Sequence, residues 1–180
     1  MAVKIYGSNR IDLDGNNETF SIRATADDEL NFYKGASTKL MGIDASGFES
    51  KPYRPMCSVS YTNGDISTTG AVIVFNNAEV NVGNHYSTST GRFTAPVAGY
   101  YKVDTSILSA DDSLVGGVIK KNDADYYKFE YTNPHSQYIQ ISMPAIIYCA
   151  ANDYITINQK NGIVYGGGGK YTIMTVYLIG

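Results

Sequence analysis

Apolar and polar residues alternate in short runs along most of this chain, the period-two pattern of strands with one buried and one wet face. The clearest runs lie in the C-terminal two thirds. Over 126–132, Tyr127, Phe129 and Tyr131 share one face and Lys128 and Glu130 the other. Over 153–158, Ile155 and Ile157 are expected to point inward. Further strands are read near 57–61, 71–75, 79–82, 91–95, 99–109, 114–121, 137–148 and 171–179, at a spacing that suits a jelly roll. No window carries a helical stripe. The last strand, YTIMTVYLIG, is apolar on both faces, with Tyr171, Ile173, Tyr177 and Ile179 on one and Met174, Val176 and Leu178 on the other. A strand of this kind must be covered twice. Its second face is therefore expected to meet a neighbouring subunit, with Met174, Val176 and Leu178 as the interface.

Residues 1–55 read differently. Small alternating pieces (Phe20, Ile22, Ala24; Leu30, Phe32; Met41, Ile43) are separated by turn-prone stretches at 14–17, 27–28, 34–35 and 45–47. With so few large apolar residues each, they cannot form a core of their own and need copies of themselves or the downstream domain. The segment ELNFYKGASTKLMGIDASGF, with Ile43-Asp44-x-x-Gly47, loosely resembles stem segments of bacteriophage fibre proteins. Lys51-Pro52-Tyr53-Arg54-Pro55 reads as a stiff, extended linker. The expected organisation is a β-rich stem or anchoring segment with linker over 1–55 and a head domain over 56–180.

Composition agrees with an all-β chain: 16 Tyr and 18 Gly, with no Trp and 17% charged residues. A net charge of −3 gives no basic face for nucleic acid. No apolar run approaches the roughly 20 residues that span a bilayer. The N-terminus, MAVKIYGSNRIDLDG, is too polar for a signal peptide, so the mature chain is expected to start here and to be made in a cytosol. Cys57 and Cys149 are too few for a disulfide framework and are read as buried thiols, with a single bridge as the other option.

The richest segment runs from Ala71 to Val103. It offers Val74-Phe75-Asn76, Asn81, Tyr86, Thr90-Gly91, Phe93, Pro96, Gly99, Tyr101 and Val103, and Tyr177-Leu178-Ile179 closes the chain. This order and spacing resemble the globular head of the complement C1q family, a trimer-forming jelly roll related to tumour necrosis factor. Gly91 suits a tight turn, Pro96 to Gly99 a corner before a long strand, and Phe93, Tyr101 and Val103 an aromatic-rich core. Val103 stands where an aromatic is usual and Val176 where the family has Gly. The resemblance implies an all-β jelly-roll sandwich of C1q/TNF-like type, assembled as a homotrimer. The same module also resembles knobs on bacteriophage fibres.

No catalytic pattern accompanies it. His85 (GNHYS) and His135 (NPHSQ) sit among polar neighbours as loop residues, and G-x-S-x-G, H-E-x-x-H and C-x-x-C are absent. The chain is not expected to be an enzyme. Asp12 to Glu18 places its Gly fourth rather than sixth, so an EF-hand fails. Asp111-Asp112 and Asn122 to Asp125 are acidic loop clusters, and no cofactor is expected, calcium alone being left open. Gly166 to Gly169 precedes a strand rather than a helix and reads as a pliable loop tip, not a phosphate cradle. Loop tips rich in Tyr, Asn, Ser and Gly supply the candidate contacts for a glycan or protein: His85, Tyr86, Tyr131, Asn133, His135, Tyr138 and Tyr165.

The absence of a leader and of a collagen run, together with the stem, favours a virion protein. It would be a trimeric phage fibre or knob that adheres to a host-surface glycan or receptor and contacts other virion proteins through residues 1–55. A secreted C1q/TNF-like recognition or signalling ligand is the other reading.

Overall fold

The computed structural model describes residues 2–6, 10–14, 19–24, 29–110, 114–132 and 138–179. Among these, every regular element is a strand. The chain divides into two compact units, Met1–Arg54 and Pro55–Gly180.

In the first unit, β1 (Ala2–Tyr6), β2 (Arg10–Asp14), β3 (Thr19–Ala24), β4 (Leu30–Lys34), β5 (Thr38–Ile43) and β6 (Glu49–Ser50) form one antiparallel meander in chain order. β3 to β5 carry the alternating pieces seen in the sequence. β1 and β2 precede the alternating pieces read from the sequence. Asp44 explains the Ile43-Asp44-x-x-Gly47 pattern: its carboxylate accepts from the Ser46 and Phe48 amides, both at 2.9 Å, and Gly47 turns the chain at φ 85°. The expected stiff linker is corrected. Arg54 N–H donates to the Lys51 carbonyl at 3.0 Å, closing a turn in which Pro52 occupies the position that its fixed φ suits.

The second unit holds β7 (Met56–Tyr61), β8 (Asn77–Val82), β9 (Phe93–Thr94), β10 (Gly99–Ser109), β11 (Leu114–Lys121), β12 (Ala124–Thr132), β13 (Ile139–Cys149), β14 (Tyr154–Asn161) and β15 (Thr172–Leu178). They form two sheets, ordered β13-β10-β15-β7-β8 and β12-β11-β14-β9. Side chains from both sheets fill the space between, including Phe75, Phe93, Tyr101, Ile107, Ile119, Ile147, Ile155, Ile157 and Met174, all without solvent exposure. Burying each contributes roughly 1.5–3 kcal/mol. The β11–β12 hairpin turns on Asn122 and Asp123 at φ 50° and 64°, the two left-handed positions that a two-residue hairpin matched to strand twist requires.

Three expectations change. The apolar run 71–75 forms no ladder; the Ile73 amide donates to Ile157 and that of Gln159 to Ala71 beside one isolated bridge at Val72. β12 is the outermost strand of its sheet, so Tyr127 and Tyr131 stay exposed and only Phe129 packs on the core. On β15 the faces are reversed. Met174 and Val176 are fully buried in the core of their own subunit, with Leu178 packed against it, so they cannot be a subunit interface. β15 lies between β10 and β7, and its free face carries Ile173, Thr175 and Tyr177.

Candidate functional site

The residues singled out by the motif hold one corner of the sandwich. Asn81 clasps a loop: its Nδ2 donates to the Tyr86 carbonyl at 2.9 Å and its Oδ1 accepts from the Tyr86 amide at 3.0 Å. The Tyr86 hydroxyl donates to the Phe75 carbonyl at 3.1 Å. Burial pushes its phenol well above the ordinary value. Tyr86 is therefore a buried anchor, 3% exposed, and not a loop-tip contact as expected. Asn76 does for the other end what Asn81 does here, accepting from the Thr62 amide and donating to the Thr62 hydroxyl, both at 2.9 Å. Gly91 has φ 72°, and a Cβ there would meet Val72 Cγ1 at 2.7 Å. Phe93 and Tyr101 pack edge to face with centroids 5.6 Å apart, and the Tyr101 hydroxyl donates to Val97 at 2.8 Å across the Pro96–Gly99 corner. Val103 is fully buried in the place of the expected aromatic. Tyr177, by contrast, lies half-buried on the outer face of the sheet, paired with Lys102 and Met56.

The strand registers place loops 62–71 and 162–171 at the end of the sandwich opposite Met56. There Tyr138, Tyr165 and Tyr171 form an aromatic cluster, with centroids 4.9 and 6.2 Å apart. Tyr138 and Tyr171 are about half exposed. The Gly166 amide donates to Asp65 Oδ1 at 2.8 Å, and a Cβ on Gly166 would collide with the Asn63 carbonyl, so this glycine is a close-approach position rather than a loose tip. Of the expected contacts, Tyr138 and Tyr165 are together here. Tyr131 stands on β12, and His85 lies at the other end beside Thr94, whose amide donates to its carbonyl. Asn133 and His135 lie outside the described residues. Tyr171, which the sequence places at the start of the final strand, joins them.

The outer face of the five-stranded sheet is the other feature. Counting alternately from the buried Tyr101, Val103 and Ile147, the outward positions are Tyr100, Lys102, Asp104, Ser106, Ser142, Pro144, Ile146, Tyr148, Ile173 and Thr175. Tyr100 and Tyr148 pack edge to face at 5.4 Å, and Tyr100, Ile146 and Tyr148 are 57%, 56% and 48% exposed. Beside them lies a hollow of about 320 Å³ lined by Asp104, Ser106, Ser142, Pro144, Ile173 and Thr175 among others. Two of its hydroxyls are paired: Ser142 Oγ donates to Ser106 Oγ at 2.9 Å, which donates to the Ile141 carbonyl at 3.3 Å. Lys102 pairs with Asp104 at 3.1 Å, and this hydrogen bond holds the ammonium above its usual value.

Little here suits a metal or a nucleophile. Among the described residues, no three His, Cys, Asp or Glu side chains converge to hold an ion. Asp125 is paired to Lys128 at 2.8 Å and Lys120 at 3.4 Å, which lowers its carboxyl. Asp153 accepts from Asn122 at 2.7 Å and from the Ala150 amide at 2.9 Å. Asp111 and Asp112 lie outside the described residues. Cys57 and Cys149 are buried and unbridged, and burial pushes the thiols up to about 12 and about 11.

Comparison with known proteins places this geometry. The family model of the C1q domain matches residues 57–179. A curated relative, the mouse complement C1q tumor necrosis factor-related protein 3, is 25% identical over 63% of this chain and 46% of its own. The chain thus spans about half the length of the curated relatives it matches. Among solved structures, the globular domain of the zebrafish complement 1qA protein superposes with a TM-score of 0.60 at 18% identity, covering 71% of this chain and 98% of its own. The Eiger TNF of S. frugiperda gives 0.56 at 13% identity, covering 71% and 94%. These matches correct the expected location. Complement C1q tumor necrosis factor-related proteins point to the extracellular space rather than to a virion. The family is one of non-enzymatic recognition and signalling proteins. Its jelly-roll unit and family-model match make this chain a member of the C1q domain family.

Proposed function

We propose that this chain is an extracellular recognition or signalling ligand of the C1q/TNF type that works as a homotrimer. The outer face of β13-β10-β15 is its subunit interface. One observation carries the reading: a sheet whose inner face builds a complete core also presents Tyr100, Ile146, Tyr148 and Ile173 to solvent. An apolar surface of this kind in a folded domain marks an association site. The hollow beside them, in which the Ser106 and Ser142 hydroxyls are already paired, gives a partner side chain a place to insert. Three joined heads then present three copies of the Tyr138-Tyr165-Tyr171 end, so that weak contacts to a glycan or protein add through effective concentration.

The test substitutes Ile146→Asp, which buries a charge at the interface if the reading is right. The assembly should dissociate at a concentration at least about tenfold higher than the parent, as expected for a central interface residue. An unchanged dissociation midpoint would reject this face. For the recognition surface, Tyr138→Ala with Tyr171→Ala should abolish retention on a glycan or receptor array while leaving the mass unchanged; retained binding would move the contact elsewhere.

A further inference from the structure

Tyrosine rings attract cations, because the face of the ring carries the negative part of its quadrupole. This chain uses that attraction repeatedly. Arg23 lies over the Tyr33 ring at 4.4 Å, Arg92 over Tyr154 at 4.0 Å and Lys121 over Tyr126 at 5.5 Å. The Tyr138-Tyr165-Tyr171 cluster differs: among the described residues of the second unit, no Lys or Arg stands over it. Lys170, the cation of that loop, turns to Glu79 at 2.6 Å. A carboxylate stands there instead. Asp65, exposed, is tied to the loop by the Gly166 amide, which donates to its Oδ1 at 2.8 Å. The Tyr165 phenol is held above its ordinary value, first by Tyr138, then by burial, Tyr171 and Asp65. Three phenols and a carboxylate thus share this end. The loop also leaves the rings open. A Cβ on Gly167 would collide with the Tyr165 phenol and one on Gly169 with the Tyr171 ring, so the chain passes both as bare backbone.

We infer that this end of the head binds basic side chains, the ammonium or guanidinium groups of lysine or arginine on a protein partner. The inference rests on the recognition role proposed above and names what that end takes. Asp65 selects the class. A neutral sugar stacks on the rings without gaining from the carboxylate, and an acidic glycan is repelled by it. A cation gains from the rings and the carboxylate together. A single cation–π contact strengthens binding only about 2- to 30-fold. A free amine is therefore held weakly, whereas a partner bearing several basic side chains meets more than one head of the assembly at once.

The experiment passes the full chain over immobilised Gly-Lys and Gly-Arg repeat peptides, a Gly-Glu repeat peptide and a neutral oligosaccharide, read by surface plasmon resonance. Asp65→Asn keeps the acceptor for the Gly166 amide and removes only the charge. Because the chain carries a net charge of −3, Asp123→Asn, at the opposite end of β11, controls for attraction that is not local. The basic peptides should bind, more weakly as salt rises. Asp65→Asn, and Tyr138→Leu with Tyr171→Leu, should each weaken that binding at least about threefold. Tyr138→Phe, which keeps the ring face, and Asp123→Asn should leave it near the parent value, with light scattering and circular dichroism confirming that each variant assembles and folds as the parent does. Absence of binding to both basic peptides would overturn the inference, as would equal losses in Asp65→Asn and Asp123→Asn. Binding to the oligosaccharide that falls in the Tyr138→Leu, Tyr171→Leu variant but ignores Asp65→Asn would also overturn it, while leaving this end as the recognition surface. Binding that none of these variants changes would overturn both readings.

Discussion

Removing the Asn81 side chain tests whether the corner of the sandwich is held as described. Asn81→Ala deletes a donor and an acceptor that bind the Tyr86 carbonyl and amide at 2.9 and 3.0 Å. Tyr86 is 3% exposed, so water cannot readily replace either partner. A hydrogen bond contributes about 0.5–1.5 kcal/mol net, and a stranded buried group costs about 1–3 kcal/mol. With two backbone groups stranded, a loss of about 2–4 kcal/mol is expected, or a Tm lower by roughly 4–16 °C in a chain of this size. Tyr86→Phe is the comparator: it removes only the bond to the Phe75 carbonyl and should cost about 1 kcal/mol. Denaturant unfolding at a fixed protomer concentration reads both, because assembly otherwise shifts the midpoint. An Asn81→Ala effect below about 0.5 kcal/mol, the size of an ordinary surface change, would refute the clasp.

The remaining predictions concern backbone strain, thiols and pH. Gly91→Ala forces a side chain into a left-handed backbone against Val72 Cγ1 and should destabilise by about 1–3 kcal/mol in the same unfolding assay. Cys57 and Cys149 should resist iodoacetamide at pH 8 in the native state and react on unfolding; fast native labelling would contradict their burial. Because both folded thiols lie above the ordinary 9.0, the unfolded chain loses these protons first. Their contribution is full below pH 9 and is lost as pH rises toward about 11 and 12, so urea midpoints should fall over that window and fall less in Cys57→Ala. The Asp153 carboxyl is lowered by its hydrogen bond from Asn122, so its small contribution fades in acid rather than base, and Asp153→Asn should flatten the acid limb.

Much of the head could be read from the sequence because strand alternation and turn chemistry are local. Ile155 and Ile157 do point inward, and Asn122-Asp123 turns as such a pair should. Local pattern fails where burial depends on neighbours distant in sequence. Tyr86, in the polar string GNHYSTST, looks exposed; its burial follows from Asn81 and the Phe75 carbonyl. On β15 both faces are apolar, so alternation shows that two surfaces cover it but not which is the core. The position of β15 between β10 and β7 decides that. Tyr127 and Tyr131 alternate correctly yet remain half open, because β12 ends its sheet. The biological setting was misread for another reason: a polar N-terminus and a fibre-like stem say little about location, and the relatives point outside the cell.

The most direct test of the central claim is the solution mass of the purified chain by light scattering, measured across concentration for the parent and for Ile146→Asp. Assembly through β13-β10-β15 predicts three times the 19.6 kDa chain mass for the parent, with the Ile146→Asp trimer dissociating at higher concentration. A folded parent that stays at 19.6 kDa throughout would contradict it.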